Sequence, residues 1–392
     1  MTRGDHMSED KTKRIIAETF LDMAHMLETG RSGKKMPIAI TALGSEHGEE
    51  TVYQAALAAA KKGISVKVIG SSRPEAENLE VIPVASEEEG HKKMDEMLCE
   101  KEAYGAVTMH YPFPIGVSTV GRVITPATGR QMYIASTTGT SSVNRVESMV
   151  KNAIYGIIAA KASGVEDPTV GILNVDGARQ AEIALQKLKK NGYDIRFASS
   201  QRADGGIIMR GNDLLTASAD VMVMDSLTGN VLTKVFSAYT SGGSYESLGF
   251  GYGPGIGEGF EKLVLIVSRA SGAPLITGAI EFARELLEGG YQKVMSHEFA
   301  EAKKAGLEQI LSECRQSKGS EAAEEVKAPP KEVVTEEILG IEIMDLEAAV
   351  SCLWAAGIYA ESGMGCTGPV VLIGEHNLEK AREILTQKKF IG

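Results

Sequence analysis

The hydrophobic positions of this chain follow two periods. Short runs rich in Val and Ile are typical of buried strands, and apolar residues three or four positions apart indicate helices. The first helix is predicted at residues 8–29, where Ile16, Phe20, Met23 and Leu27 share one face. Strands are predicted after it at residues 37–42, 64–69, 106–109, 133–135, 169–173, 195–198, 221–224 and 263–267.

Helical stretches lie between several of these strands, for example at residues 50–62, 145–162 and 180–191. Alternation of strands and helices predicts an α/β fold with three layers, in which helices cover both faces of a mostly parallel sheet. Ligands of such sheets bind beyond the carboxyl ends of the strands. The loops that follow strands, at residues 44–49, 136–144, 174–178 and 226–230, are therefore the predicted places for a site.

The C-terminal part of the chain differs in composition. Residues 317–337 are rich in Glu, Lys and Ala and contain two adjacent prolines, which is typical of a linker. The pattern after it predicts a small α+β unit with a strand, a helix, a Gly-rich loop, a second strand and a second helix. The predicted organisation is an N-terminal helix at 1–36, a main domain at 37–316, the linker and the small unit at 338–392.

Charge and cysteine content exclude several classes of function. The net charge is −11 and no basic residues cluster, which argues against a nucleic-acid partner. No apolar run reaches the roughly 20 residues of a membrane helix, and the polar N-terminus lacks a secretory signal. Four widely spaced cysteines fit a reducing cytoplasm, and the scattered histidines indicate no metal site. We therefore expect a cytoplasmic protein without a membrane segment or a metal.

The four cysteines differ in their surroundings. Cys366 lies in ESGMGCTGPV, and such a Gly-rich loop can present a thiol to another molecule. A tight helix-to-strand turn that happens to contain cysteine explains the same residues equally well. Cys352 lies in an apolar helical run and is expected to be buried and inert. Cys99 and Cys314 lie in charged helical segments, where exposed thiols are expected without organised chemistry.

Polar residues follow several of the predicted strands. Asp225, Asn230 and Lys234 lie in DSLTGNVLTK, directly after a strand. An amide and a cation at such a place can bind phosphate or the carbonyl of an acyl thioester, although Lys234 also fits a solvated helix face. His47 and His110 follow strands too and are candidates for a general base or a phosphate contact, while a structural role is the commoner one for a lone histidine.

The segment 242–259, GGSYESLGFGYGPGIGEG, is crowded with glycine. A dinucleotide-binding fingerprint requires its glycines between a strand and a helix, and this segment lacks that context. We therefore predict no nucleotide-binding loop here. A mobile loop over an anionic substrate and a flexible connector both fit the composition, and the connector is favoured.

Four stretches together resemble the PlsX-type phosphate acyltransferases. In chain order within residues 37–290 they are GSEHGEETVYQAALAAAKKGISVKVIG, SSVNRVESMVKNAIYG with PTVGILNVDGARQAE, ADVMVMDSLTGNVLTK and SGAPLITG. The resemblance implies synthesis of acyl phosphates from acyl thioesters and inorganic phosphate, without a metal or nucleotide cofactor. It also implies that phosphate and substrate are held at the strand-end loops, for which the candidates are His47, Asn144, Asn174, Asp225, Asn230 and Lys234.

The chain departs from ordinary members of that family in its N-terminal helix, its Gly-rich segment, and its linker with the Cys366 unit. These departures resemble the alpha subunits of component C of glycine/sarcosine/betaine reductase complexes, which are PlsX-like and use a C-terminal active-site cysteine. The resemblance implies that Cys366 carries an acetyl thioester, which phosphate cleaves to acetyl phosphate. It implies selenoprotein A as the acyl donor, a component C beta subunit as a partner, and an oligomer.

Three alternatives belong to other classes. A fatty acyl phosphate synthase of phospholipid synthesis would use acyl carrier protein and would not need Cys366. A non-catalytic assembly subunit would not turn over alone. A phosphate-binding or phosphate-sensing protein would not need a thiol on a linker.

Overall fold

The computed structural model describes residue 20 and residues 36–71, 79–203, 205–320, 328–341, 345–365, 368–388 and 390–391. The chain divides into two compact units, Met1–Cys314 and Arg315–Gly392. Apart from Phe20, the predicted helix at residues 8–29 lies outside the described residues. Among the helices that can be described, none is long and apolar enough to cross a membrane.

The first unit contains one large sheet, in which twelve strands are described in the order β3-β2-β1-β4-β12-β11-β5-β6-β10-β7-β8, with β9 also beside β7. The strands are β1 (Ile38–Thr41), β2 (Val66–Gly70), β3 (Glu80–Pro83), β4 (Gly105–Thr108), β5 (Val117–Ile124), β6 (Gln131–Thr140), β7 (Thr169–Leu173), β8 (Arg196–Phe197), β9 (Ile208–Met209), β10 (Val221–Val223), β11 (Gly253–Ile256) and β12 (Val264–Ile266).

Helices cover both faces of this sheet. Ile38 and Ile40 of β1 pack into one apolar core, whereas Ala39 between them packs into another. Because side chains of a strand alternate between faces, each face has its own core, and the predicted three-layer α/β/α fold is confirmed. The helices of this unit are α1 (Glu49–Lys61), α2 (Glu87–Glu100), α3 (Arg145–Ala162), α4 (Ala178–Lys190), α5 (Gly211–Thr216), α6 (Ser226–Ala238), α7 (Ala273–Glu288), α8 (Tyr291–Lys304) and α9 (Leu307–Ser320), the last of which crosses the boundary between the units.

The sheet is mostly parallel, as predicted, but its two halves run in opposite directions. Strands β3, β2, β1, β4 and β12 are parallel to one another, and so are β6, β10, β7, β8 and β9. Between them, β12 pairs with β11, β11 with β5, and β5 with β6, all antiparallel. Three reversals in succession place the carboxyl ends of the two halves at opposite edges of the sheet.

The Gly-rich segment 242–259 contributes β11 to the middle of this sheet. Its residues Gly253–Ile256 are all buried, so the expectation of a flexible connector or mobile loop is wrong for this part. Gly253 has φ 82°, and a Cβ there would lie 1.7 Å from the carbonyl oxygen of Val120. Glycine at this position is therefore required by a close approach of two strands.

The second unit contains a small antiparallel sheet with strand order β13-β15-β14. Its core is formed by residues such as Ile338, Leu353 and Val371, which pack together with Leu385. Strand β14 extends into the predicted Gly-rich loop, so that the loop is shorter than expected. The elements are β13 (Glu336–Ile338), α10 (Leu346–Ala355), β14 (Ala360–Gly365), β15 (Gly368–Ile373) and α11 (Leu378–Gln387).

Candidate functional site

A cavity of about 440 Å³ lies in the first unit, where the ends of β4 and β12 meet β6 and helix α6. This volume lies at the small end of the range for small-molecule sites in proteins, which is roughly 300–1,000 Å³. Apolar and polar side chains share its wall. The lining residues are Met109, His110, Tyr111, Pro112, Phe113, Thr138, Gly139, Asn230, Lys234, Tyr252, Ile266, Val267 and Ser268.

Helix α6 brings Asn230 and Lys234 to this cavity. The helix begins at Asp225, whose carboxylate accepts hydrogen bonds from the Thr228 backbone N–H at 3.0 Å and from the Thr228 hydroxyl at 2.7 Å. One turn later the helix contacts β6, where Asn230 Nδ2 donates to the Thr137 carbonyl at 3.1 Å. The close approach depends on Gly229, because a Cβ there would lie 1.8 Å from the Ser136 carbonyl oxygen. Each residue of the T-G-N sequence thus has a structural role: Thr228 bonds the cap, Gly229 allows the close approach and Asn230 bonds β6.

Lys234 is paired with a carboxylate that the sequence analysis did not identify. Its Nζ donates to Glu246 Oε1 at 2.7 Å, and the lysine side chain is 52% exposed while the glutamate side chain is 2% exposed. The Tyr252 hydroxyl donates to the same oxygen at 3.2 Å, and burial and the carboxylate raise the pKa of Tyr252 far above its usual range. The buried Glu246 carboxylate therefore holds the more exposed Lys234 ammonium at the cavity wall.

The opposite wall of the cavity comes from the loops after β4 and β12. His110 and Ser268 lie there, and the Thr108 hydroxyl donates to the His110 carbonyl at 3.2 Å. The neighbouring Arg269 donates to both oxygens of Glu87, at 3.0 and 2.7 Å, and these contacts lower the pKa of Glu87. Arg269 is thus already paired, whereas the polar groups of His110 and Ser268 border the cavity.

The other predicted site residues do not line the cavity. Asn144 caps α3 by accepting from the Glu147 N–H at 3.1 Å, and its Nδ2 donates to the Cys314 carbonyl at 3.4 Å. Asn174 follows β7 and is half-buried. His47 is exposed, with Nε2 3.2 Å from the Ala270 carbonyl oxygen, next to the loop that contains Ser268. Asp225 acts as the cap of α6.

Strand direction is one reason that Asn174 and Asp225 lie away from the cavity-lining ends of β4 and β12. Asn174 and Asp225 follow β7 and β10, whose carboxyl ends lie at the edge opposite to those of β4 and β12. Arg145 is 3.6 Å from Asp176, in the loop after β7, and its charge helps to lower the pKa of Asp225. From Asp225, helix α6 then advances about 1.5 Å per residue, so that Asn230 and Lys234 lie farther along and reach the cavity.

The cysteines are placed differently from the expectations in two cases. Cys314 was expected to be exposed but is buried, and burial raises the pKa of its thiol. Cys352 was expected to be buried but is only half-buried, whereas Cys99 is exposed. Cys366 lies outside the described residues, so its role stays a prediction from the sequence.

Glu246, Tyr252, Thr138 and Ser268 were not singled out from the sequence. Glu246 and Tyr252 lie in the Gly-rich segment, in which Glu246 is followed by no further acidic residue until Glu258. A single acid within an apolar and glycine-rich stretch was the available signal. Within the described ranges, no group of three or more His, Cys, Asp or Glu residues is arranged to hold a metal ion.

Comparison with known proteins gives the family. The profile of a family described as "Fatty acid synthesis protein" matches residues 36–372. The "Glycine/sarcosine/betaine reductase complex component C subunit alpha" of Peptoclostridium acidaminophilum is 56% identical over 377 residues, which cover 95% of this chain and 97% of that protein. A "Phosphate acyltransferase" of Phenylobacterium zucineum (strain HLK1) is 35% identical over 94 residues, which cover 22% of this chain and 25% of that protein.

Among solved structures, a branched-chain phosphotransacylase from Enterococcus faecalis V583 aligns with 15% identity and a TM-score of 0.44, over 64% of this chain and 99% of that one. The family assignment rests instead on the sequence matches, since the profile spans most of the chain and the Peptoclostridium protein matches nearly all of it. The chain therefore belongs to the PlsX-like fatty acid synthesis protein family, in the group that includes the alpha subunit of component C of the glycine/sarcosine/betaine reductase complex.

Proposed function

We propose that this protein is the phosphate acetyltransferase component of a glycine/sarcosine/betaine reductase complex. It converts an acetyl thioester on an enzyme cysteine and inorganic phosphate to acetyl phosphate. One observation carries the proposal: Asn230 and Lys234 of the DSLTGNVLTK stretch lie in the same cavity as His110 and Ser268. The similarity to the reductase component and to phosphate acyltransferases supports it.

Phosphate binds in this proposal beside Lys234. A lysine ammonium has three N–H donors, of which one is used by Glu246. The remaining two are available to phosphate oxygens, and charge-assisted hydrogen bonds of this kind are the stronger ones in proteins. Asn230 uses one amide hydrogen on the Thr137 carbonyl, which leaves its second one for the carbonyl oxygen of the thioester.

A phosphate oxygen then attacks the thioester carbonyl carbon. A C–O bond forms as the carbonyl π electrons move to oxygen, and the tetrahedral oxyanion is stabilised by the donors around the cavity. The oxyanion collapses, the C–S bond breaks, and the thiolate leaves with the electron pair. Holding phosphate beside the thioester makes the step effectively intramolecular, which can contribute about 7–11 kcal/mol. The thiol in this proposal is Cys366.

The proposal includes no cofactor, with phosphate as a substrate. Selenoprotein A is the proposed acyl donor and a component C beta subunit is a proposed partner, in keeping with the complex named for the relative. An oligomeric assembly also belongs to the proposal. So does a cytoplasmic location, because a free thiol that carries acyl groups requires a reducing compartment.

The decisive experiment is arsenate-dependent hydrolysis of acetyl phosphate. Arsenate attacks an acetyl-enzyme as phosphate does, and the acetyl arsenate hydrolyses at once. The full chain is compared with Cys366→Ser, and Cys352→Ser is the matched control. We expect hydrolysis by the parent and the control, and none by Cys366→Ser.

Hydrolysis that survives in Cys366→Ser and is lost in Cys352→Ser would move the thioester to Cys352. Absence of hydrolysis in the parent chain, alone and with its partner subunit, would contradict the proposal. Activity with a long-chain acyl carrier protein thioester would then support a fatty acyl phosphate synthase.

A further inference from the structure

The cavity has an aromatic side as well as a polar one. Phe113 lines it, and its ring centroid lies 5.0 Å from that of Tyr111 and 5.6 Å from that of Phe260. The rings of Tyr111 and Phe260 are 6.2 Å apart, so that the three rings form one cluster. Offset and edge-to-face contacts at such distances are favourable, which makes the cluster a packed wall.

The aromatic wall is held in place from behind. The Tyr111 hydroxyl donates to Asp95 Oδ1 at 3.0 Å, and Lys262 Nζ donates to the same oxygen at 2.6 Å. Burial and the Asp95 carboxylate raise the pKa of Tyr111, so its hydroxyl remains a donor. Phe113 itself rests on Gly255, where an added Cβ would lie 2.2 Å from Phe113 Cε1. The phenyl ring therefore has no room to retreat toward the sheet.

Strand β11 lies behind both the aromatic wall and the polar groups of the cavity. Tyr252, which bonds the Glu246 partner of Lys234, directly precedes β11, and Gly255 beneath Phe113 lies three residues farther along. Antiparallel strands advance about 3.4 Å per residue, which separates the backbones of Tyr252 and Gly255 by roughly 10 Å. The strand itself lies behind the cavity, since none of its residues is part of the lining. The cavity thus has polar groups beside Tyr252 in one part of its wall and the phenyl ring of Phe113 in another.

We propose that Phe113 is a specificity-determining residue that limits the acyl group to short chains. This inference rests on the proposed function, because it concerns the acyl group transferred to phosphate. With the carbonyl near Asn230 and Lys234, the acyl chain extends across the cavity toward the Phe113 ring, which lines the same cavity. Acetyl ends short of the ring, whereas a long chain such as hexanoyl reaches it.

The test is a chain-length series on the full chain. Arsenate-dependent hydrolysis is measured for acetyl, propionyl, butyryl and hexanoyl phosphate with the parent, Phe113→Ala and Phe113→Leu. Each extra methylene that Phe113→Ala buries should raise kcat/KM up to about fourfold, the fold-change that corresponds to burial of one CH₂. We expect the hexanoyl-to-acetyl ratio to rise by at least about tenfold in Phe113→Ala and by less in Phe113→Leu.

Phe197 offers a matched control, because it is also half-buried and lies on β8, outside the lining of the cavity. Phe197→Ala should keep the parental ratio. An unchanged ratio in a folded Phe113→Ala would overturn the inference. If that variant fails to fold, Phe113→Leu decides, and an unchanged ratio there has the same meaning.

A binding series separates this inference from the proposed function. Ethyl-, propyl- and hexylphosphonate carry an anion and a chain without a reactive carbonyl, and their affinity is measured by calorimetry. If the parent hydrolyses none of the acyl phosphates, the proposed function fails. The role of Phe113 is then still tested by the ratio of the affinities for hexylphosphonate and ethylphosphonate. This ratio must be at least about tenfold higher in Phe113→Ala than in the parent. Equal relative affinities would overturn it.

Discussion

The Glu246 carboxylate is buried, and its hydrogen-bond partners indicate its role. Oε1 accepts from Lys234 and Tyr252, while Oε2 is buried with no hydrogen-bond partner in the described part of the molecule. The backbone of Glu246 is fixed by bonds with Ala270 and Gly272. A buried charge that loses its partner is costly, so Glu246 retains the Lys234 ammonium at the cavity when the cavity is empty.

Replacement of Lys234 by methionine should separate binding from stability. The loss of a charge-assisted hydrogen bond should raise the KM for phosphate by about 10- to 100-fold, as expected for roughly 1.5–3 kcal/mol. The melting temperature should fall, because Glu246 is left without a cation. The double variant Lys234→Met/Glu246→Gln should recover the melting temperature but not phosphate binding. A double variant that recovers both would show that Lys234 does not bind phosphate.

Asp225 gives a pH-dependent contribution to stability. Burial raises its pKa, but the hydrogen bonds from Thr228 outweigh this and the net pKa is lowered. A folded-state pKa below the unfolded value of about 3.9 means that the stabilisation is present above that pH. It is lost as pH falls through the lower folded-state pKa.

Asp225→Ala should therefore destabilise the protein by about 1 kcal/mol at pH 7, the usual effect of losing an N-cap. The difference from the parent should shrink as the pH approaches 3. Asp225→Asn keeps a capping oxygen without the charge, so its cap should contribute about equally at all pH values. Urea unfolding between pH 3 and 7 measures all three proteins, and parallel pH curves for parent and Asp225→Ala would refute the assignment.

Helix α6 connects several of these side chains into one element. Its N-cap is Asp225, its second turn bonds β6 through Asn230, and its third turn carries Lys234 to the cavity. Gly229 determines the distance at which the helix packs on β6. The position of two candidate ligands therefore depends on a residue with no side chain.

Gly229→Ala should displace α6. The new Cβ would lie 1.8 Å from the Ser136 carbonyl oxygen, and a backbone atom cannot move aside as a side chain does. Overpacking of this kind costs about 1–3 kcal/mol. We expect lower stability and at least about tenfold less acetyl transfer. Gly211→Ala in α5 is the control, because nothing lies within 4 Å of its Cβ position, and it should be neutral. Equal activity of both variants would contradict this account of α6.

The elements that sequence reasoning recovered are those whose side chains carry a clear period. Strand β1, with sequence IAIT, is buried on both faces and is apolar up to its last residue, as expected of a parallel strand. Strand β5 was missed because it reads VSTVGRVI, in which buried polar residues are satisfied by partners far along the chain. Ser118 donates to Asn152 at 3.0 Å and Thr119 pairs with Thr137 at 2.6 Å, which sequence alone does not reveal.

At the scale of the whole molecule, the direction of the two half-sheets limits which loops can meet. The cavity joins the ends of β4 and β12 to Thr138 and Gly139 of β6, which belongs to the other half-sheet. Sequence reasoning identified loops after strands but not which carboxyl ends share an edge, since the antiparallel centre of β11, β5 and β6 was not predicted. Asn230 and Lys234 meet in one cavity because a helix carries them there, whereas Asn144 and Asn174 lie elsewhere. Their roles as ligands stay predictions.

The division of the chain allows a last test. Every residue that lines the cavity lies in Met1–Cys314, and Arg315–Gly392 has an apolar core of its own. A chain that ends at Ser320, the last residue of α9, keeps the complete lining and lacks Cys366. It should bind phosphate with parental affinity in calorimetry and should fail to hydrolyse acetyl phosphate with arsenate.

An acetyl thioester added in solution should restore acyl transfer to phosphate in this shortened chain, because the proposed function assigns the phosphate site to the cavity and only the thiol to the missing part. The parent with Cys366→Ser is the matched control and should behave in the same way. A shortened chain that folds, as judged by circular dichroism, but binds no phosphate would show that the cavity alone is insufficient. Normal phosphate binding without any response to added thioester would instead place essential acyl-transfer groups in the second unit.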